Sequence, residues 1–311
     1  MDAPTSDRGS APLRYCAREF TCAEIDEIRA VIASGEYSSR SAISREVCRR
    51  LNWYKPDGGP KQVSCSVALL RMQRDGLLEL PPPARAPSRP TIPTFTEASD
   101  PGALLEGTRG DLGPLRLVRV ARPTDSRLWN EVIARHHYLG YRPLPGAQLR
   151  YLAYAGERLL AALGFGAAAW RVLDRDDFIG WNDAQRVARL HLVVNNARFL
   201  ILPSIKVRFL ASSLLAQVAR QLPADWESVY CYRPQLLETF VECDRFAGTS
   251  YRAANWIFVG ETMGRGKLDR HHKRTAKIFK SIWVYPLDRS FRETLCAPLV
   301  QASTPERSGQ Q

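Results

Sequence analysis

The sequence contains no run of about 18 apolar residues, which a membrane-spanning helix would require. Its first residues, MDAPTSDRGSAP, have no apolar core of the kind that a signal peptide carries, so we expect a cytoplasmic protein with no membrane partner. The seven cysteines are odd in number, and none of them stands in a C-x-x-C pair. This pattern predicts reduced thiols rather than a disulfide framework or a zinc site.

Acidic residues are too few to balance the basic ones: 32 stand against 44, which gives a formal net charge of +12. An excess of this size favours polyanionic partners, because lysine and arginine neutralise phosphates and release counterions. The hydrophobic content of 45% is ordinary for a folded globular protein. The composition therefore predicts a folded protein with DNA or RNA as its partner, and a solvated basic surface is the alternative.

Proline is concentrated in one segment, since eight of the 21 prolines fall within residues 81–114. That segment has no apolar periodicity, and we interpret it as a linker. The expected organisation is a disordered tail, a winged-helix-like domain, the linker, a larger core domain and a C-terminal tail, with the bounds 1–20, 21–80, 81–114, 115–290 and 291–311.

Residues 21–80 have the periodicity of three helices and a strand. We expect helices over 23–34, with Thr21 as N-cap, from Ser41 onward, and over about 63–75, before a strand at 77–80. The side chains expected to face the core are Ile25, Ile28, Ile32, Ile43, Val47, Leu51, Val67, Leu70 and Met72. This outline predicts a winged helix-turn-helix-like module.

Such a module would place its third helix in a DNA groove and its other basic residues on phosphates. The predicted nucleic-acid contacts are Arg45, Arg49, Lys61 and Arg71. Residues 14–80 contain only 11 basic residues against 9 acidic ones, however, so a protein–protein module is the alternative.

The rest of the chain alternates between strand and helix patterns. Strands are expected at 115–121, 148–154, 159–168, 190–195, 229–232, 236–241, 256–260 and 281–285. Helices are expected at 125–136, capped by Thr124, at 205–222 and at 249–255. This mixture predicts an α/β (α+β) domain with a mixed sheet.

Five segments resemble the DruA family of the bacterial Druantia anti-phage system, within a match over about 20–287. They are HYLGYRPLPGAQLRY (137–151), LGFGAAAW (163–170), LVVNNARFLILP (192–203), YRPQLLETFVE (232–242) and RFAGTSYRAANW (245–256). The order of elements is similar to the GNAT-like acyltransferase fold. The resemblance implies a defence role, nucleic-acid contact and other Druantia-type proteins as partners. Related proteins occur beside or fused to transposase-like proteins.

A GNAT-like fold also implies acetyl-CoA, whose pyrophosphate is held by a glycine-rich loop at a helix N-terminus after the fourth strand. No glycine stands between His191 and Pro203, so close approach of the backbone to a pyrophosphate is difficult. This departure argues against acetyl-CoA, and no cofactor is firmly implied; a divalent metal is an alternative.

Polar and aromatic residues are densest in 228–267. The candidate catalytic residues are His137, Glu238, Glu242, Tyr251 and Asn255. Glu238 and Glu242 share one face of a predicted strand, where they could bind a divalent metal or act as acid and base, with no particular metal indicated. The favoured alternative is ion pairing with an arginine such as Arg245 or Arg252. His137 is a base, a metal ligand, or a residue that caps or packs a helix end.

The segment from Tyr251 to Trp256 has two interpretations. Arg252 and Asn255 could contact bases or phosphates while the aromatic rings stack, or the segment could be a helix fixed to the sheet with Trp256 buried. Farther on, Gly264-Arg265-Gly266-Lys267 lacks the first glycine and the Ser/Thr of a phosphate-binding loop. It begins a basic stretch whose predicted nucleic-acid contacts are Arg265, Lys267, Lys273, Arg274 and Lys277.

Three hypotheses follow. The leading one is a recognition or processing subunit that binds nucleic acid. The second is an enzyme acting on nucleic acid, by acyltransferase-like base modification or metal-dependent cleavage. The third is a protein-interaction adaptor.

Overall fold

The computed structural model describes residues 13–16, 18–55, 58–83, 93–263 and 278–299. It divides the chain into two compact units, Met1–Thr91 and Ile92–Gln311, each with a hydrophobic core of its own. The boundary falls inside the predicted linker, but that linker is too long. A strand and two 3-10 turns form between residues 97 and 111, and all of them belong to the second unit.

The first unit is a hairpin followed by three helices. Its elements are β1 (Leu13–Tyr15), β2 (Arg18–Phe20), α1 (Cys22–Ala33), α2 (Arg40–Arg50) and α3 (Gln62–Arg74). Thr21 caps α1 as predicted, in a reciprocal capping box with Glu24. The predicted tail is wrong from residue 13 onward, because Phe20 is buried and packs edge-on against Trp53 at 5.6 Å.

The core-facing side of α3 differs from the prediction. Cys65, Ala68, Leu69 and Met72 are buried, whereas Val67 and Leu70 are 37% and 47% exposed. The predicted strand at 77–80 is wrong as well, since this segment runs without strand pairing. The described part of the unit carries its hairpin before the helices, so the winged-helix outline stays a prediction.

The described residues of the second unit form nine strands. They are β3 (Leu105–Thr108), β4 (Leu115–Arg119), β5 (Gln148–Ala155), β6 (Arg158–Ala167), β7 (Val193–Ile201), β8 (Ile205–Arg208), β9 (Leu236–Glu242), β10 (Ile257–Glu261) and β11 (Lys280–Pro286). Seven of them form one sheet in the order β10-β11-β9-β7-β6-β5-β4, while β3 and β8 pair in parallel as a separate ribbon. Within the large sheet all neighbours are antiparallel except β7 and β9, so the sheet is mixed as predicted.

In the same described ranges, six α-helices accompany these strands: α4 (Pro123–His136), α5 (Leu173–Ile179), α6 (Asp183–Arg189), α7 (Leu210–Tyr230), α8 (Thr249–Ala253) and α9 (Phe291–Leu295). Neighbouring residues of β5 point to opposite faces of the sheet. Arg150 contacts Asn130 of α4, and Tyr151 contacts Asp225 of α7, so the two helices cover opposite faces. No helix in the described ranges is both long and apolar enough to cross a membrane.

Several predicted boundaries in this unit are wrong. The predicted strand at 229–232 is wrong, because its first two residues form the end of α7. There the rings of Trp226 and Tyr230, one helical turn apart, pack against each other. The predicted helix start at 205 is strand β8. Arg122 rather than Thr124 is the N-cap of α4, since Pro123 suits a first helical position. Helices α5 and α6 were not predicted, and α9 lies in the predicted tail.

The join between β7 and β9 positions the candidate site. The two strands pair over only three positions, from Val193↔Leu236 to Asn195↔Glu238, and then diverge. A bulge at Ala197 interrupts the pairing of β7 with β6 just beyond this point. The sheet therefore splits between two parallel strands.

Candidate functional site

A cleft of about 540 Å³ lies where β7 and β9 diverge. The end of α4, the two strands and the segment leading into α8 contribute its walls. These segments include His137, Asn196, Thr239 and Tyr251. The cleft therefore contains two of the five predicted catalytic residues, His137 and Tyr251.

A closed hydrogen-bond network forms the floor of the cleft. The buried Tyr251 hydroxyl donates to Asn196 Oδ1 at 2.8 Å, and Thr239 Oγ1 donates to the Asn196 carbonyl at 3.1 Å. The amide of Asn196 donates in turn to the carbonyls of Gly164 and Arg198. Burial raises the pKa of Tyr251, so its hydroxyl keeps its proton. The floor is consequently a rigid, neutral, hydrogen-bonded surface.

His137 is the C-cap residue of α4 and is buried beside the cleft. Its Nδ1 accepts the backbone N–H of Leu139 at 3.2 Å, and its ring stacks on Tyr138 at 4.8 Å. Burial, and to a smaller extent the charge of Arg198, lowers the pKa of His137 to about 4. The imidazole is therefore neutral near pH 7, with its proton on Nε2 because Nδ1 accepts a hydrogen bond.

Exposed aromatic rings form the rim of the cleft. Tyr138 is 39% exposed and Phe246 is 51% exposed, and their ring centres are 5.6 Å apart. The Arg245 guanidinium lies 5.2 Å from the centre of the Tyr138 ring and donates to Glu242 at 3.0 Å. An aromatic pair beside a cation offers a stacking surface for a flat, electron-rich group.

Glu238 lies outside the cleft in a buried ionic network. Its carboxylate accepts from Arg175 at 2.6 Å and from the backbone N–H of Ala169 at 2.7 Å. Both glutamates are thus ion-paired. Glu242 pairs with Arg245, whereas the partner of Glu238 is Arg175 and not Arg245 or Arg252. Among the described residues no three His, Cys, Asp or Glu side chains gather as a metal site.

The remaining predicted contacts are dispersed. Arg252 is exposed, with its guanidinium 5.8 Å from the centre of a Trp283 ring, and Asn255 is exposed in the left-handed conformation that ends α8. Trp256 is buried, which agrees with the interpretation of a helix fixed to the sheet.

The predicted contacts of the first unit lie on its helices and on the turn before α3. Arg45, Arg49 and Lys61 are exposed, Arg71 is half-buried, and Arg49 pairs with Glu46 at 2.6 Å. The predicted residues Arg265, Lys267, Lys273, Arg274 and Lys277 lie outside the described residues.

Sequence reasoning missed several residues of the cleft, namely Tyr138, Asn196, Thr239 and Phe246, and also Arg198 beside it. One signal was available in LVVNNARFLILP, because two amides and an arginine interrupt an otherwise apolar strand. Polar residues in such a strand require partners or a ligand, since burying them unpaired is costly.

The split sheet and its two covered faces define a mixed α/β domain with a ligand-sized cleft between parallel strands. Among solved structures, the chain is similar to the ribosomal-protein-S18-alanine N-acetyltransferase of Escherichia coli, with 10% identity, a TM-score of 0.35, and 56% of this chain and 95% of that chain covered. It is also similar to the spermidine/spermine N-acetyltransferase SpeG of Vibrio cholerae, with 9% identity, a TM-score of 0.36, and coverage of 56% and 92%. At TM-scores below 0.5 we draw no inference from these similarities, and the α/β class rests on the sheet itself. Curated protein sequences give no match.

The chain belongs to the DruA family: the family model for Druantia protein DruA matches residues 72–281, about two thirds of the chain. This match confirms the resemblance that the sequence motifs carry, and it points to a role in anti-phage defence. It includes the whole cleft but only the last turn of α3, so most of the first unit lies outside it.

Proposed function

We propose that this DruA-family protein acts in anti-phage defence by binding nucleic acid, and that its cleft takes up one unstacked nucleotide. The observation that carries this proposal is the aromatic rim, in which Tyr138 and Phe246 stand exposed beside Arg245. Exposed aromatic rings stack on bases without regard to sequence, and arginine adds charge for the backbone. The net charge of +12 favours the same class of partner.

The size and lining of the cleft support the same ligand. A volume of about 540 Å³ lies within the usual range of small-ligand sites. Such sites combine apolar walls with a few fixed polar groups, as Phe199 and Tyr251 do here. A nucleotide whose base stacks at the rim could extend toward the floor formed by Asn196 and Tyr251.

Recognition rather than acid–base chemistry is the role that these residues support. Glu238 is fully engaged by Arg175 and by the amide of Ala169, and Glu242 is paired with Arg245. His137 has its Nδ1 occupied and a pKa of about 4, far below the range suited to a base near pH 7. We therefore propose a recognition subunit, with other Druantia-type proteins as its partners.

The connection after β7 does not fit acetyl-CoA. Residues 205–208 are extended and pair with β3, and α7 begins only after Phe209, which has a φ of +65°. Successive amides of an extended strand point in opposite directions, so they do not converge on a pyrophosphate. We propose no acyl-transfer step.

The test is binding of labelled single- and double-stranded DNA and RNA across a salt series, with the strands then resolved on a denaturing gel. We expect salt-dependent binding, intact strands and weaker binding by Phe246→Ala. The expected loss is about 5- to 100-fold, since stacking on one base is worth about 1–3 kcal/mol.

Phe258→Ala is the matched control. Phe258 is equally exposed but lies on β10 outside the cleft, so its replacement should leave binding unchanged. Equal losses in the two variants, or no binding at moderate salt, would contradict the proposal. Cleavage of the strands with Mg²⁺ would favour an enzyme instead.

A further inference from the structure

Two arginines lie in one row across the sheet, on the face covered by α4. Arg150 of β5 pairs with Gly164 of β6, which pairs in turn with Arg198 of β7. Gly164 leaves the position between them without a side chain, and Trp129 packs over it so closely that an added Cβ would lie 2.8 Å from the indole. The two arginines therefore lie at equivalent positions on their strands and on the same face of the sheet.

The surroundings of the two arginines differ. Arg150 donates to Asn130 Oδ1 at 2.9 Å and to Ser126 Oγ at 3.0 Å. Arg198 donates from Nη1 to the carbonyl of Ala197 at 2.7 Å, while its Nε is buried and has no partner. Arg150 thus has the hydrogen bonds of a structural residue, and Arg198 has an unused donor.

The charge of Arg198 is also uncompensated. No carboxylate in the described ranges pairs with its guanidinium, and burial lowers the pKa of Arg198, with Tyr138 acting in the opposite direction and Arg142 in the same one. A buried charge without a counter-ion is costly, as is a buried donor without an acceptor. An anion bound at the exposed part of the guanidinium would offset the cost of the charge.

The neighbours of Arg198 are suited to an anion. Arg198 lies beside the cleft rather than in its lining: Ala197 and Phe199, its neighbours in the chain, line the cleft, and its charge acts on the lining residues His137 and Tyr138. His137 is neutral and carries its proton on Nε2, and Glu242, the acid whose charge acts on Tyr138, is already paired with Arg245. This end of the cleft therefore presents donors and positive charge, with the adjacent acid neutralised.

We propose that Arg198 is the anion-binding residue of the cleft and holds a phosphate group of the ligand. The guanidinium presents its donors as a planar fork that matches two phosphate oxygens, which makes arginine a frequent ligand of this group. Because the base is expected to stack at the rim, this inference rests on the proposed nucleotide binding. A free nucleotide and a nucleic-acid strand both supply the phosphate.

The experiment measures the thermal midpoint and calorimetric affinity of the full chain with four probes. These are inorganic phosphate, thymidine, thymidine 5′-monophosphate and single-stranded oligothymidylate. We expect stabilisation by the monophosphate or the oligonucleotide and none by thymidine. Arg198→Met should bind at least about 10-fold more weakly, since a hydrogen bond to a charged group is worth about 1.5–3 kcal/mol.

The thermal midpoint measured without ligand distinguishes an anion-binding role of Arg198 from a structural one. Arg198→Met should melt no lower than the wild type, because it removes an uncompensated charge. Arg150→Met is the matched control, and it should melt lower while still responding to the ligand. Arg198→Lys keeps the charge without the fork and should bind with intermediate affinity.

Each outcome is informative. An Arg198→Met variant that is destabilised or unfolded, or that keeps its full response to the ligand, overturns the inference. Oligonucleotide binding that is indifferent to Arg198 leaves the proposed function standing without this anion site. A response to phosphate and monophosphate through Arg198, with no strand binding, supports the anion site and contradicts the proposed nucleic-acid function. No response of the wild type to any phosphate probe overturns the anion site.

Discussion

Arg175 and Glu238 face each other in the interior of the second unit, with 2.6 Å between Nη1 and Oε2 and no exposed side-chain surface on either residue. Arg175 also donates to Asp176, which accepts from the Trp181 indole at 3.0 Å. Since Arg175 belongs to α5 and Glu238 to β9, the network fixes a helix to an interior strand of the sheet. An ion pair without solvent contact depends on the presence of both partners.

The first prediction concerns this pair. Glu238→Gln should lower the free energy of unfolding by about 1.5–3 kcal/mol, because it removes the charge that accepts from Arg175 inside the protein while Asp176 still pairs with that guanidinium. Urea denaturation of the purified protein measures the loss. Glu242→Gln is the control, and it should cost less than about 1 kcal/mol because its partner Arg245 is exposed. A Glu238→Gln protein as stable as the wild type would contradict the structural role.

Stability should depend on pH through His137. Its pKa of about 4 in the folded protein lies below the ordinary value of about 6.5, so the unfolded chain binds more protons between these values. The stabilisation is fully present above about pH 6.5 and is lost as the pH falls toward 4, by about 3 kcal/mol in total. Denaturation at several pH values measures it. His137→Gln should remove this part of the pH dependence, and an unchanged slope in that variant would contradict the prediction.

Replacing Tyr251 tests the floor of the cleft. Tyr251→Phe removes the hydroxyl that donates to Asn196 Oδ1 and leaves a buried acceptor without a donor, at an expected cost of about 1–3 kcal/mol. Tyr138→Phe is the matched control, because Tyr138 is exposed at the rim, and it should cost less than about 0.5 kcal/mol. Thermal or urea unfolding compares the two. Equal effects would show that the hydroxyl of Tyr251 is not essential to the floor.

Two adjacent leucines test which side of α3 packs into the first unit. Leu69→Ala should destabilise the unit by about 2–5 kcal/mol, because Leu69 is buried and its truncation leaves a cavity. Leu70→Ala should change stability by less than about 0.5 kcal/mol, because Leu70 is 47% exposed. The reverse order would support the helix orientation that the sequence predicts.

The sequence identifies part of the large sheet well, since the observed bounds of β5, β6, β9 and β11 lie within one residue of the predicted ones, whereas β3 and β8 were not predicted. Alternating or continuous apolar residues between turn signals are a direct local consequence of sheet burial. The orientation of α3 was not predictable in this way. Val63, Val67 and Leu70 form a second apolar stripe beside the buried one, and periodicity alone cannot distinguish the two.

The candidate site depends on contacts that local patterns do not contain. Glu238 and Arg175 are 63 residues apart, and α5 itself was not predicted. Asn196 meets Tyr251 only because a bulge and the divergence of two strands bring the two residues together. The sequence indicated a dense polar region around residue 240, but the partner of each polar group follows from the tertiary fold.

The three-pair ladder between β7 and β9 also has a mechanical consequence. It joins a four-stranded antiparallel half of the large sheet, β4 to β7, to a three-stranded half, β9 to β11. A change in the angle between the halves would alter the width of the cleft while leaving the hydrogen bonds within each half intact. Glu238 belongs to the last pair of this ladder. Its buried ion pair with Arg175 therefore lies where the two halves join, and it would resist a change in the angle between them.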